Sequence, residues 1–206
     1  MKYEFTGETQ KLFGHTLKRI RALVNIERYD VKAGDLGGWI ESNSNLSQES
    51  DAWVYGNALV YGNARVYGDA WVYGNAWVYG DAQVYGDAQV YGNAQVYGDA
   101  RVYGNARVYG NAQVCGDARV YGNAQVYDNA QVCGNNDLLI IAPIGSRNDT
   151  VTFARSKRGG IIVMVGCFTG TIDEFADAVK ATHGDNEHAR AYGLAIELAK
   201  LRMKGD

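Results

Sequence analysis

The 206-residue chain holds one proline, three cysteines and three histidines. An odd number of cysteines does not describe a disulfide framework and fits a reducing compartment. The longest apolar runs, Leu138 to Ile144 and Ile161 to Phe168, fall far short of the roughly 20 residues of a membrane-spanning helix. The amino terminus, MKYEFTGETQ, has no apolar stretch of the kind a secretory signal peptide carries, so the expected location is cytoplasmic. A formal charge of -3 gives no basic excess, which disfavours nucleic acid and anionic membranes as partners. With 47% hydrophobic residues the chain has enough apolar material to fold. What it has in excess is glycine, 26 residues, and tyrosine, 15 residues. Both excesses have one source.

From Asp51 to Gly134 the sequence is 14 consecutive six-residue units of the form [DN]-A-x-V-[YC]-G, such as DAWVYG and NARVYG. Alanine fills the second place and valine the fourth in every unit, and the sixth place breaks once, at Asp128. A unit this short cannot bury its own apolar face and has to stack on its neighbours. The A-x-V-Y segment reads as a short strand, with Ala and Val on one side and x and Tyr on the other. Gly followed by Asp or Asn supplies a corner, because these residues tolerate left-handed backbone angles. Three six-residue sides close one coil, with parallel strands bonded coil to coil about 4.8 Å apart. The predicted fold is a mainly-β triangular solenoid cored by alanine and valine columns.

These units resemble the hexapeptide repeat of left-handed parallel β-helix proteins, and the resemblance implies the left hand of the coil. The flanking stretches KYEFTGETQKLFGHTLKRIRALVNI, VKAGDLGGWIE, IGSRNDTVTF and VGCFTGTIDEF are similar to phage and prophage hexapeptide-repeat proteins that are often labelled transferases. The resemblance thus implies phage or prophage origin and, through the label, acyl transfer. Acyltransferases of the repeat family use a histidine base near a loop that interrupts the coils. Here the repeat is uninterrupted and lacks histidine, since His15 precedes it while His183 and His188 follow it. It therefore has no group suited to deprotonating an acceptor near neutral pH. Nor can it supply the three histidines of a carbonic-anhydrase-like metal site. No catalytic residue, cofactor or metal is assigned.

Residues 1-30 are expected to form an N-terminal β cap over the open strand edge of the solenoid, with a strand at Tyr3 to Phe5 and a turn at Gly7. The solenoid is expected over 31-135. Its first coil is degenerate, with Leu36 lying one coil length before Val54 and Ile40 one coil length before Ala58. Residues 136-206 read as a β-β-β-α-α module, with strands in LLIIAPI, TVTFARS and GIIVMVGCF. Its first helix opens with a Thr171/Glu174 capping box and stops at Gly184; the second, capped at Asp185 or Asn186, buries Tyr192, Ala195, Ile196 and Ala199.

Projected onto that three-sided coil, the outward positions form columns. One face carries Trp53, Trp71 and Arg107, the second Leu59 and Trp77, and the third Arg65, Arg101 and Arg119, each beside a tyrosine column. Aromatic residues and arginine are enriched in interface hot spots, which makes Trp53, Trp71, Trp77, Arg101 and Arg119 candidate interface residues. Self-supporting tyrosine ladders are the alternative. Asn57, Asn75, Asn93, Asn111 and Asn129 would stack as an amide ladder at one corner, and Asp81, Asp99 and Asp117 would stack as solvated charge at another. Cys115 and Cys133 lie one coil apart and are expected as reduced thiols.

In the tail, Gly166 to Gly170 runs from a strand into a capped helix start, a geometry that offers backbone N-H groups to an anion. With Arg147 from the nearby turn and His183 from the helix end, the candidate ligand residues are Arg147, Gly166, Thr169, Gly170 and His183. Cys167, His183 and Asp173 can be drawn as nucleophile, base and orienter, but Cys167 after an apolar strand reads as a small core residue. The expected function is a non-catalytic binding or scaffold protein acting through self-association, as a trimer or dimer, or through contact with a host protein. The alternatives are capture of a small anionic ligand such as a nucleotide signal, as in phage counter-defence, and acyl transfer.

Overall fold

The fold is described from a computed structural model, and the structure describes residues 1-203. It is a left-handed parallel β-solenoid with an N-terminal β cap and a C-terminal α+β module. Fourteen two-residue strands, β4 (Trp53–Val54) through β17 (Gln131–Val132), begin at every sixth residue, one per repeat unit. They are bonded in parallel, each to the strand one full coil further on, Trp53 opposite Trp71 and Gln89 opposite Arg107, so that each face of the prism is one sheet. The bonding is regular: Trp53 N donates to Ala70 O at 2.9 Å and Tyr55 N to Val72 O at 2.9 Å, a pattern that recurs from coil to coil. Every repeat alanine and valine is buried, which makes the core a stack of small side chains in register.

The corners show why the repeat is so strict. The corner glycines from Gly56 to Gly122 have φ between 58° and 72°, the left-handed region that disfavours a side chain. Those with a coil beyond them also lie against it: a Cβ on Gly92 would come within 3.0 Å of Gly110 N. Asp128, the one non-glycine at this place, tops the column Gly56, Gly74, Gly92, Gly110 and has φ 55°. No further repeat coil lies beyond it, so only the backbone strain remains.

The N-terminal cap is a meander of β1 (Tyr3–Leu12), β2 (His15–Ala22) and β3 (Leu36–Ile40). Its hairpin turn is at Phe13 and Gly14, both with positive φ as a two-residue hairpin requires, and Gly7 marks a bulge within β1 where the turn was expected. β3 then pairs in parallel with the second face, Ile40 opposite Val60, and Leu46 bridges to Val66 on the third. The degenerate first coil therefore exists, but it is longer than a repeat coil, because the repeat spacing would have set Ile40 opposite Ala58 rather than Val60. Lys2 seals the edge of the first face by donating its Nζ to Ser50 O at 2.6 Å and Ala52 O at 2.5 Å.

At the other end β18 (Leu138–Ile144), β19 (Asp149–Arg155), β20 (Ile161–Val165) and β21 (Phe168–Thr171) form an antiparallel sheet, one strand more than expected. One side of it, with Leu138, Ala154 and Met164, continues the solenoid core; the other, with Leu139, Phe153 and Val163, packs against α1 (Ile172–His183) and α2 (Glu187–Arg202). This alternation is what allows one sheet to close the last coil and carry two helices. The Thr171/Glu174 capping box opens α1, and Asn186 caps α2 by accepting from Ala189 N at 3.0 Å. Among the described residues no helix is long and apolar enough to cross a membrane.

Candidate functional site

The C-terminal module bears an open cavity of about 260 Å³ between its helices and the turns of its sheet. Phe168, Phe175, Val179 and the ring of Tyr192 form its apolar floor, while Arg147, Asp149, Thr182, His183 and Cys167 supply polar groups. Local sequence places each of these. The β18–β19 turn, Gly145 to Asn148, projects Arg147 and leads directly into Asp149. Gly145 is required there because Tyr192 packs against its backbone, where a Cβ would meet the ring at 2.9 Å from Cε2. Tyr192 in turn stacks with His183, their ring centroids 5.8 Å apart, and meets Phe175 edge-on at 5.4 Å. The Tyr192 pKa is raised, first by burial and then by Asp149, with Arg147 opposing, so its hydroxyl senses both charges of the turn.

Of the ligand residues expected from sequence, Arg147, Gly166 and His183 line this cavity. Thr169 and Gly170 do not. They belong to β21, where they pair with Met164 and Val163 of β20, so the sheet claims backbone that the expected anion turn would have left free. The Thr169 hydroxyl bonds to Tyr127 of the last coil, on the side of the sheet away from the helices. Cys167 and His183 share the cavity, but Asp173, the drawn orienter, is ion-paired with Lys200 at 2.9 Å. Cys167 is exposed in the β20–β21 turn, where it was expected as a core residue. Asp149 and Tyr192 were missed as site residues; the available signal was the G-S-R-N-D turn, which sets opposite charges close together on one short loop.

The solenoid surface is largely occupied by its own side chains. Tyrosines stack face to face up all three sides: Tyr61 on Tyr79 on Tyr97, Tyr67 on Tyr85 on Tyr103, and Tyr73 on Tyr91 on Tyr109, with centroids 4.7 to 5.1 Å apart. The amide ladder runs from Asn57 through Asn75 and Asn93 to Asn111 with bonds of 3.3 to 3.4 Å. Among the described residues no group of three or more His, Cys, Asp or Glu is placed to hold a metal ion. Cys115 and Cys133 are joined as a disulfide, Cα atoms 4.2 Å apart, where reduced thiols were expected; in-register parallel pairing of Gln113 with Gln131 sets the two side by side.

The candidate interface residues divide. Trp53 is 0% exposed beneath Tyr3, Trp71 lies between Tyr29 and Tyr73, and Trp77 packs near Phe13, so the cap uses all three. Arg101 and Arg119 are exposed, one above the other, and form no ion pair among the described residues. At the cap, His15 Nδ1 lies 2.9 Å from Glu41, which also accepts from Gly62 N at 2.8 Å. Burial works against the Glu41 carboxylate, but the His15 and Gly62 bonds outweigh it and hold its pKa below the usual carboxylate value. This pair ties β2 to the first coils.

The geometry defines a capped left-handed β-solenoid, and comparison with known families agrees. Overlapping matches from residue 52 to residue 128, over less than half of the chain, show the repeat to be similar to the YdcK beta solenoid repeat. The solenoid is thus related to that repeat family. No curated protein matches the chain.

Proposed function

We propose that the protein is a non-catalytic binding protein that acts by self-association, pairing with a second copy through the outer face of α2. The observation that carries this reading is a leucine stripe. Leu194, Leu198 and Leu201 are 68%, 41% and 66% exposed on α2, opposite the face that buries Tyr192, Ala195, Ile196 and Ala199. A helix apolar on both sides is one that expects cover on both. Leu194, Leu198 and Leu201 have the alternating four- and three-residue spacing of a coiled-coil seam. Glu197 and Arg202 flank it on opposite sides and are not ion-paired within the chain among the described residues. In a parallel two-fold pair, Glu197 of one copy faces Arg202 of the other.

Acyl transfer, which the resemblance to labelled transferases implied, finds no support in the solenoid, whose uninterrupted coils carry tyrosine, glutamine and arginine outward and no histidine. Phage or prophage origin rests on that resemblance alone. Native mass spectrometry of the full chain tests the pairing. A dimer is expected, and Leu194→Glu with Leu198→Glu should give a monomer with an unchanged β-sheet circular dichroism signal. A wild-type monomer, or a double variant that still pairs, removes the reading.

A further inference from the structure

Arg147 and Asp149 bring opposite charges to the same small cavity and do not pair with each other. Neither forms an ion pair with any other side chain among the described residues. Asp149 uses one carboxylate oxygen to accept from Thr150 N at 2.7 Å. Its other oxygen faces Gly166 of the β20–β21 turn and accepts no hydrogen bond among the described residues. A ligand entering here meets a guanidinium and a carboxylate together, above a floor of aromatic and aliphatic side chains.

This arrangement selects by charge. A simple anion gains Arg147 but is repelled by Asp149; a simple cation meets the reverse. Only a ligand carrying both signs close together satisfies both groups. The floor of Phe168, Phe175, Val179 and Tyr192 asks for an apolar body attached to those charges. A volume of about 260 Å³ lies below the roughly 300–1,000 Å³ of drug-sized sites and suits a small ligand.

We infer that this cavity binds a free α-amino acid with a large apolar side chain, its carboxylate on Arg147, its ammonium on Asp149 and its side chain on the aromatic floor. The site is independent of the α2 leucine stripe, which lies on the opposite side of that helix from Tyr192. The inference replaces the purely anionic ligand expected from sequence, because Asp149 shares the cavity with Arg147.

Calorimetric titration of the full chain tests it with three matched probes: L-phenylalanine, hydrocinnamate, which lacks the ammonium, and phenethylamine, which lacks the carboxylate. Phenylalanine is expected to bind, and each of the other two at least about tenfold more weakly. Arg147→Met should weaken phenylalanine by a similar factor while binding phenethylamine no more weakly, and Asp149→Asn should weaken phenylalanine while binding hydrocinnamate no more weakly, because each change removes the charge that repels the matched probe. The comparison of probes on the wild-type chain holds even if a variant misfolds. Hydrocinnamate binding as tightly as phenylalanine would make this an anion site and overturn the inference. So would the absence of binding by phenylalanine, leucine and methionine alike at millimolar concentration.

Discussion

Tyr29 of the N-terminal cap stacks on Trp71 of the solenoid, ring centroids 4.7 Å apart and planes within 19°. The Tyr29 hydroxyl reaches the Asp69 carbonyl, and the neighbouring Arg28 pairs with Asp69 and Asp87 on successive coils. The cap is therefore clasped to the side of the coils as well as laid over their end.

From this clasp it follows that the tryptophans act on stability rather than on assembly. Trp53→Ala should cost about 3–5 kcal/mol, the range for removing a large buried aromatic side chain. Trp71→Ala, at a half-buried position, should cost less, about 1–3 kcal/mol. Urea unfolding gives these values, and native mass spectrometry of the same variants should show the wild-type subunit count. A Trp53→Ala variant that loses assembly at an unchanged urea midpoint would contradict the clasp.

The stacked tyrosines make the fold sensitive to alkali. Burial, reinforced in Tyr61 by Tyr79 and in Tyr73 by Tyr91, pushes both hydroxyls up to about 12, and burial does the same for Tyr3. Tyr109 is raised as well, by burial and then by Tyr127. These pKa values lie above the unfolded value of about 10, so the folded chain holds its protons longer. The stability this contributes is complete below pH about 10 and is lost as pH rises through 12. Phenolate absorbance from these residues should therefore rise together with loss of the β-sheet signal, in one step well above pH 10. If every tyrosine ionises near pH 10 while the fold persists, stacking does not shield the hydroxyls.

The solenoid was legible because its period is a property of the sequence: alanine and valine at fixed places can be buried in only one way, and they are. The helix caps were legible for the same reason, since Thr171 with Glu174 satisfies backbone groups locally. What escaped depended on distant partners. The lengthened first coil, which sets Ile40 opposite Val60, comes from the cap meander entering the second face, and no local pattern encodes that entry. Phe168–Thr171 is a strand because Ile162 to Val165 offers an edge, although its own sequence reads as a turn. The cavity joins Arg147 and Asp149 at one end of the module's sequence to Tyr192 near the other, and the apolar stripe of α2 presents Tyr192 as core alone. The tryptophans were placed on the correct faces, but their burial follows from the cap that covers them.

The Cys115–Cys133 disulfide joins neighbouring coils at a sequence separation of 18. In the chain-entropy picture a loop of this size contributes about 3 kcal/mol by restricting the unfolded chain. The coils are held independently by backbone bonds such as Gln113 N to Ala130 O at 2.9 Å and Cys115 N to Val132 O at 2.8 Å. Reduction should therefore lower the urea midpoint while leaving the native circular dichroism unchanged, with the oxidised state confirmed by a mass two hydrogens lighter. No change in midpoint between oxidised and reduced protein would show that the last coil does not depend on the bond.

A pair of glycines separates the two causes of the strict repeat. Gly92 and Gly122 both have left-handed backbones, φ 70° and 63°, so alanine at either meets a conformational penalty of about 1–2 kcal/mol. At Gly92 the new Cβ also lies 3.0 Å from Gly110 N of the next coil, whereas at Gly122 nothing lies within 4 Å. Gly92→Ala should then cost clearly more than Gly122→Ala in urea unfolding, by about 1–3 kcal/mol for the overpacking. Asp128→Gly, which relieves backbone strain at the top of the Gly92 column, should be neutral or slightly stabilising. Equal costs at Gly92 and Gly122 would assign the repeat's glycines to corner conformation alone. A larger cost at Gly92 means that coil-to-coil spacing enforces them, and that the sequence is free to vary only where the stack ends.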